Sequence, residues 1–288
     1  MFDLMTPFLV FAAVQMSNYD HVVEYLKRLT NSNPHVAQMI NLGVSDSGQP
    51  IYGIKIGNGP TPTLVVGTHH GNEYGSTAVA MGVAESLVQN PMPNQTVYVV
   101  PVLNILGYNS RNRYERAQDN RFYDPNRDYP GPCGTPTPFR LRSTRALAQF
   151  IHDRNIVTSA TLHTYSPGVF YPWGLSARDP RTEDDSTYIE LSRVATKYSN
   201  YPYGNSKDLL YAADGTYDDY SYWKHGIWSL LFELGHSHSP SMNNIKEMIR
   251  VNVPGIRDYL AAAPVQRSNR HEFKGGCDAR SRRRTILE

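Results

Sequence analysis

The stretch Thr63-Leu-Val-Val-Gly67-Thr-His-His70-Gly-Asn-Glu73 decides the fold, together with the Ala-rich residues 76–88 and the apolar run Thr96-Val-Tyr-Val-Val-Pro-Val102 behind it. A short apolar strand that stops at a glycine, a helix and a second apolar strand alternate as they do where helices carry the chain between strands of one sheet. The alternation continues outward. Upstream, residues 19–30 hold Val22, Val23, Leu26 and Leu29 at helical spacing, and strand-like runs over 39–44 and 51–56 flank the turn-forming Ser45-Asp-Ser-Gly-Gln-Pro50, which predicts a hairpin. Downstream, helices over 144–153, 186–198 and 243–262 are interleaved with strands over 156–162 and 226–232. The pattern predicts an α/β domain with a mainly parallel or mixed sheet covered on both faces. Between residues 104 and 140 periodicity disappears, and a loop that long inside a compact domain is expected to be functional.

Composition narrows the rest. Of 288 residues, 40% are hydrophobic and 19% charged, which suits a packed core and excludes disorder for most of the chain. A net charge of +2 gives no broad field to hold a polyanion, so no nucleic-acid partner is expected. No run approaches the roughly 20 apolar residues that cross a bilayer, so no membrane partner is expected either. Pro7-Phe-Leu-Val-Phe-Ala-Ala-Val14, within residues 1–16, reads as the core of a degenerate export signal or as a plain apolar arm. Cys133 and Cys277 are too few for a disulfide framework and match no zinc-knuckle spacing, so cysteine leaves the compartment unread. Past residue 263, Arg267, Arg270, Lys274, Arg280, Arg282, Arg283 and Arg284 outnumber the acids. Residues 264–288 are therefore expected to form a basic, disordered tail.

The chemistry gathers at strand ends. His70 and Glu73 follow the strand ending at Gly67, in a chain leaving a strand for a helix, where both side chains reach one ion. Imidazole plus carboxylate is a common catalytic zinc pair, and a third protein ligand leaves a position for water. A capping Glu beside an ordinary His is the bland alternative. Against it, the strand over 156–162 ends in His163-Thr-Tyr-Ser-Pro167, and open α/β sheets build their sites at the carboxyl ends of strands. His69 points away from His70 and is read as structural.

At this point the chain resembles the zinc metallocarboxypeptidases of the carboxypeptidase A/B type. Asn112-Arg113-Tyr-Glu-Arg116 looks like that family's Asn-Arg-x-x-Arg, Asp124-Pro-Asn126-Arg127 like its Asp-x-Asn-Arg, His163-Thr-Tyr-Ser and Tyr171-Pro-Trp-Gly174 like its His-Ser-Tyr-Ser and Tyr-Pro-Tyr-Gly, and Leu231-Phe-Glu233-Leu like its Phe-Glu-Leu strand. The matches run in order over residues 19–260. The resemblance implies one three-layer α/β/α domain over residues 17–263 with a mixed, roughly eight-stranded twisted sheet. It also implies one Zn2+ per chain on His70, Glu73 and His163, with Glu233 as general base and Arg116 stabilising the oxyanion. Asn126, Arg127 and Tyr211 correspond to the residues that grip a substrate's terminal carboxylate. Arg113 either adds positive potential to that cleft or sits in a structural ion pair. Asp218 falls at the base of the pocket for the terminal side chain, where an acid favours Lys or Arg, and Asp219 is assigned to capping the following helix. Non-proline cis peptides are implied at Thr164-Tyr165 and Pro172-Trp173. The substrate so implied is the C-terminus of a peptide or protein, the protein a monomer, and the location secreted or periplasmic, with the cytoplasm left open. Asn72 departs from the digestive members, which carry Arg there, and resembles regulatory or peptidoglycan-processing relatives. Rival readings are an amidase cutting cell-wall peptides before diaminopimelate, an acyl-amino-acid deacylase, which Tyr211 and Asn126-Arg127 oppose, and a silent peptide-binding homologue. Gly235-His236-Ser-His238 reads as loop, with a second metal site as the alternative.

Overall fold

The computed structural model describes residues 18–178 and 181–278; the N-terminal arm expected over residues 1–16 lies outside them. One sheet holds eight strands: β1 (Ala37–Val44), β2 (Pro50–Ile56), β3 (Thr61–Gly67), β4 (Gln95–Val100), β7 (Thr158–His163), β8 (Gly168–Tyr171), β9 (Tyr203–Asn205) and β10 (Trp228–Glu233). Their order across the sheet is β1-β2-β4-β3-β7-β10-β8-β9. The middle four, β4, β3, β7 and β10, run parallel, while β2 joins antiparallel on one side and β8 on the other. The sheet is thus mixed, and the domain is α/β as expected. Every residue of β4 and β7 is buried. Because successive side chains point to opposite faces, a strand buried throughout must be covered on both. Helix Met242–Ala262 packs on both Tyr74–Gln89 and Asp185–Ala195, while Tyr19–Ser32 and Arg142–Asp153 lie against β1 and Tyr217–His225 against β10.

Three features depart from the sequence pattern or refine it. The edge strands β8 and β9 are too short to carry a readable period. The long loop holds a helix, Ile105–Ser110, a two-stranded ribbon of β5 (Glu115–Arg116) and β6 (Phe122–Tyr123), and a 3-10 turn, Pro125–Arg127. The disordered tail is corrected for residues 264–278, which lie along the body. Arg267 donates to the backbone oxygens of Ile156 (2.7 Å) and Ile151 (3.0 Å), Trp228 Nε1 donates to Gln266 O (2.9 Å), and Cys277 forms a β-bridge with Ala177. These guanidinium and backbone bonds outweigh the compositional bias toward solvent. The remainder of the tail, 279–288, lies outside the described residues. Cys133 and Cys277, separated by 144 positions, form a disulfide, so their pairing comes from the tertiary fold and could not be read from spacing. The peptides Thr164-Tyr165 and Pro172-Trp173 are cis, as the resemblance implied.

β5 buries Glu115 completely, with Ser143 Oγ donating to Oε2 while Oε1 has no hydrogen-bond partner. Burial pushes its carboxyl from 4.5 up to about 8, with the nearby Asp46 and Asp128 charges adding to the effect. Between those values the folded chain holds a proton that the unfolded chain has released, so stability should fall as pH rises through the window. The Glu115→Gln variant should flatten that fall by on the order of a few kcal/mol, read from urea unfolding at about pH 5 and about pH 8.

Candidate active site

Parallel register brings the site together. β3 pairs with β7 at Gly67 and Leu162, and β7 pairs with β10 at His163 and Glu233, so three carboxyl ends meet at one edge of the sheet. Beyond β3 the chain turns tightly against Ile105–Ser110. A Cβ on Gly71 would stand 2.0 Å from the carbonyl carbon of Gly107, which leaves no room for any side chain there. The turn delivers Glu73 to the N-cap position of helix Tyr74–Gln89, yet its carboxylate caps nothing. Oε1 lies 2.7 Å from His70 Nδ1, and Oε2 accepts from Thr164 N at 3.0 Å and lies 3.1 Å from His163 Nδ1. The capping alternative therefore fails.

His70, Glu73 and His163 are buried, with one ligand atom from each lying within 4.8 Å of the others, the one such group among the described residues. The two Nδ1 atoms are 3.2 Å apart. Four donors around zinc at about 2.0–2.1 Å stand roughly 3.3 Å from one another, so the spacing fits a tetrahedral ion. The far nitrogen of His70 meets Asp124 Oδ1 at 2.9 Å. That carboxylate takes the Nε2–H and turns the Nδ1 lone pair inward, as a metal ligand requires. The donor set therefore suits a zinc site.

Asp124, on the segment entering Pro125–Arg127, holds Arg113 through Nε (3.0 Å) and Nη2 (2.8 Å). Burial works against its charge, but the His70 hydrogen bond and the Arg127 and Arg113 guanidinium groups hold the carboxyl well below the usual range. Arg113 Nη1 lies 3.8 Å from Glu73 Oε1, and Arg113 lines the cleft. Both readings of Arg113, ion pair and cleft charge, thus describe one geometry. Arg116 is a correction. It is exposed on β5 and does not line the cleft, because burial of Glu115 turns its neighbour to the opposite face.

Glu233, at the end of β10, faces the same cleft, and its Oε2 is buried without a hydrogen-bond partner. Burial and the Glu73 charge push its carboxyl well above the usual range, with Arg113 and Arg127 pulling the other way. Arg127 Nη1 is fixed on Asn126 O (2.6 Å), and Nη2 donates to the exposed Tyr211 hydroxyl (3.3 Å). Asn126 Oδ1 accepts from Tyr217 N (2.9 Å), so its amide hydrogens remain for the cleft that it lines.

Phe170, Leu210, Ala213 and Leu231 wall the inner cleft, and Asp218 lines it too. Asp218 Oδ1 accepts from Thr161 Oγ1 (2.9 Å) and Ser229 Oγ (2.8 Å). Burial raises its pKa, which those hydroxyls and the His163 charge only oppose in part. Asp219 does not cap the helix. Thr216 is the N-cap, and the Asp219 carboxylate accepts Gly174 N at 2.9 Å, with burial raising its pKa to about 8. His69 is buried with Nε2 3.1 Å from the Tyr129 hydroxyl, a packed position. His238 borders the cleft with Nδ1 3.0 Å from Thr164 O, and neither it nor His236 joins a metal-binding group among the described residues. Sequence reasoning quoted Asp124 inside a motif without giving it a role. The signal was its place before Asn126-Arg127.

The family model described as zinc carboxypeptidase matches residues 22–255. Carboxypeptidase B of Astacus astacus is 24% identical over 73% of this chain and 82% of its own length. Carboxypeptidase A1 of Sus scrofa is 25% identical over 75% of this chain, which spans only 61% of that relative. Among solved structures, bovine thrombin-activatable fibrinolysis inhibitor, in complex with a tick carboxypeptidase inhibitor, superposes with a TM-score of 0.80 at 19% identity, covering 87% of this chain and 98% of the other. The murein-tripeptide amidase of Escherichia coli O157 superposes at 0.54 with 16% identity, covering 78% and 91%. With the matched region spanning every strand of the sheet and both ends of the donor set, the chain belongs to the zinc carboxypeptidase family.

Proposed function

We propose that this protein is a zinc-dependent carboxypeptidase that releases C-terminal residues from peptides and favours Lys and Arg. One observation carries the reading: Arg127, Asn126 and Tyr211 open onto the same cleft as the His70, Glu73 and His163 donors and the unpartnered oxygen of Glu233. Zinc held by those three residues would supply Lewis acidity and lower the pKa of a coordinated water to about 7. Arg127 binds the substrate's terminal carboxylate, with the Asn126 amide and the Tyr211 hydroxyl completing the grip. That anchorage sets the last peptide bond beside Glu233. Glu233 takes the proton of the attacking water and returns it to the leaving nitrogen. Arg113, held by Asp124 with Nη1 left toward the cleft, stabilises the oxyanion in place of Arg116. Asp218 attracts a cationic side chain, because a buried carboxylate without a cation is costly. The Cys133–Cys277 disulfide supports an oxidising, secreted or periplasmic location.

Replacing Glu233 with Gln should lower kcat by roughly 10²–10⁴-fold while bound zinc, measured by elemental analysis, stays at one per chain. Equal activity in variant and wild type would remove Glu233 from the mechanism. The Asp124→Asn variant should bind Zn2+ about 10–100-fold more weakly in a calorimetric titration, since it loses the acceptor that orients His70. Matched peptides ending in Lys, Leu and Glu, assayed beside a muropeptide carrying diaminopimelate, test the pocket. Lys should be preferred to Leu, and Asp218→Asn should erase that preference by about 10-fold or more.

A further inference from the structure

The segment that walls the substrate pocket, residues 206–218, is gripped from two sides. On one side Ala213 N donates to Gly174 O (2.7 Å), and Asp214 Oδ1 accepts from Ser176 N (2.9 Å). On the other side Tyr129 N donates to Gly215 O (3.1 Å). Gly215 has φ +77, and a Cβ there would stand 2.6 Å from Arg127 O, so the segment passes against the chain that carries the carboxylate-binding arginine.

The two gripping segments are tied to each other. Just beyond Tyr129, the turn closed by Gly134 N to Gly131 O (3.0 Å) holds Cys133. Just beyond Ser176, Ala177 forms a β-bridge with Cys277, flanked by Arg178 N to Gly276 O (3.0 Å) and Asp278 N to Ser176 O (2.9 Å). Lys207, at the start of the pocket segment, donates to Ala177 O and lies 3.9 Å from Asp278. The Cys133–Cys277 disulfide therefore ties the chain just beyond Tyr129 to the strip that is hydrogen-bonded along Ser176–Arg178, so the two segments that hold residues 213–215 are linked to each other.

We propose that Cys133 and Cys277 are positioning residues for the substrate pocket: their disulfide clamps residues 206–218 so that Tyr211 faces the cleft. This rests on the proposed peptide-binding role of that cleft, but the geometry of the clamp stands apart from any activity. Neither cysteine is among the residues that line the cleft. Within the pocket segment the weakest part is its middle, where Leu209 and Tyr211 are 51% exposed, while residues 215–218 are buried. Segments held by few buried contacts open at low free energy. Cutting the ring should therefore loosen the pocket while the sheet and the metal site stay closed.

The test compares the wild-type protein with the Cys133→Ser/Cys277→Ser double variant, and with wild type whose disulfide is opened after folding by tris(2-carboxyethyl)phosphine, a non-thiol reductant. Amide hydrogen exchange is mapped by mass spectrometry. Exchange over residues 206–218 should rise about tenfold or more while peptides from β3, β4, β7 and β10 keep their protection. With a peptide ending in Lys, KM should rise by about 5-fold or more with kcat changed by less than about 3-fold and zinc content unchanged. Unchanged exchange over 206–218 would overturn the clamp, and so would an equal rise across the whole sheet, which would make the disulfide a general staple. An intact exchange response in a protein that cleaves no peptide would instead count against the proposed activity and leave the clamp standing.

Discussion

The alternation of side chains along β7 and β10, locked in parallel register, is the constraint on which the site depends. Thr161 and His163 share one face of β7; Ser229, Leu231 and Glu233 share one face of β10. The pairing of His163 with Glu233 puts these five residues into a single surface. At its end stand the His163 imidazole of the candidate metal site and an acid, midway stands a leucine wall, and at its base two hydroxyls hold Asp218. A slip of one residue would turn the whole row to the opposite face. A slip would also carry the buried Thr161 and Ser229 hydroxyls and the His163 ring away from their partners, so packing and polar groups fix the register together.

That is also why so much was legible in the sequence. The strands over 63–67, 96–102, 156–162 and 226–232 are apolar runs that only a double-covered sheet explains, and His70, Glu73, His163 and Glu233 stand at or just past their ends. What escaped were features decided by single side-chain directions in irregular chain. Arg116 and Arg113 occur in one short motif, and composition treats them alike. The structure separates them because Glu115 is buried under Ser143, which leaves Arg116 facing outward, whereas Arg113 is drawn inward by Asp124. Asp219 looked like a cap, yet Thr216 three residues earlier caps the helix and frees Asp219 for Gly174 N. The basic composition past residue 263 gave no hint that Arg267 would satisfy two backbone carbonyls at the end of Arg142–Asp153.

Carboxyl groups of the same two residue types take opposite charge preferences within this small volume, and their partners explain the division. Asp124 faces an imidazole and two guanidinium groups and is held as the anion despite burial. Asp218 and Asp219 are buried at least as deeply but are met mainly by hydroxyls and backbone amides, which even with the His163 charge near Asp218 do not offset desolvation, so their acidity is weakened. Hydrogen bonds from neutral donors lower the cost of a buried charge; a nearby full charge can reverse it.

The contrast bears on how the proposed pocket and the proposed base are related. Arg113 and Arg127, the cations nearest the centre, oppose the rise at Glu233, and both are already committed, one to Asp124 and the other to Asn126 and Tyr211. Arg113 and Arg127 line the same cleft as Asp218, but among the described residues no ion pair joins Asp218 to a cation. In the proposed function, a terminal lysine or arginine would supply the counter-charge of Asp218 while the substrate carboxylate occupied Arg127. The two ends of one substrate residue would thus complete two separate charge pairs, and the fixed spacing of Asp218 and Arg127, whose segments are joined by Tyr217 N donating to Asn126 Oδ1, would set the length of side chain able to reach both. A residue too short for the pocket would leave Asp218 unpaired, so selectivity would follow from the cost of that unpaired group as much as from attraction.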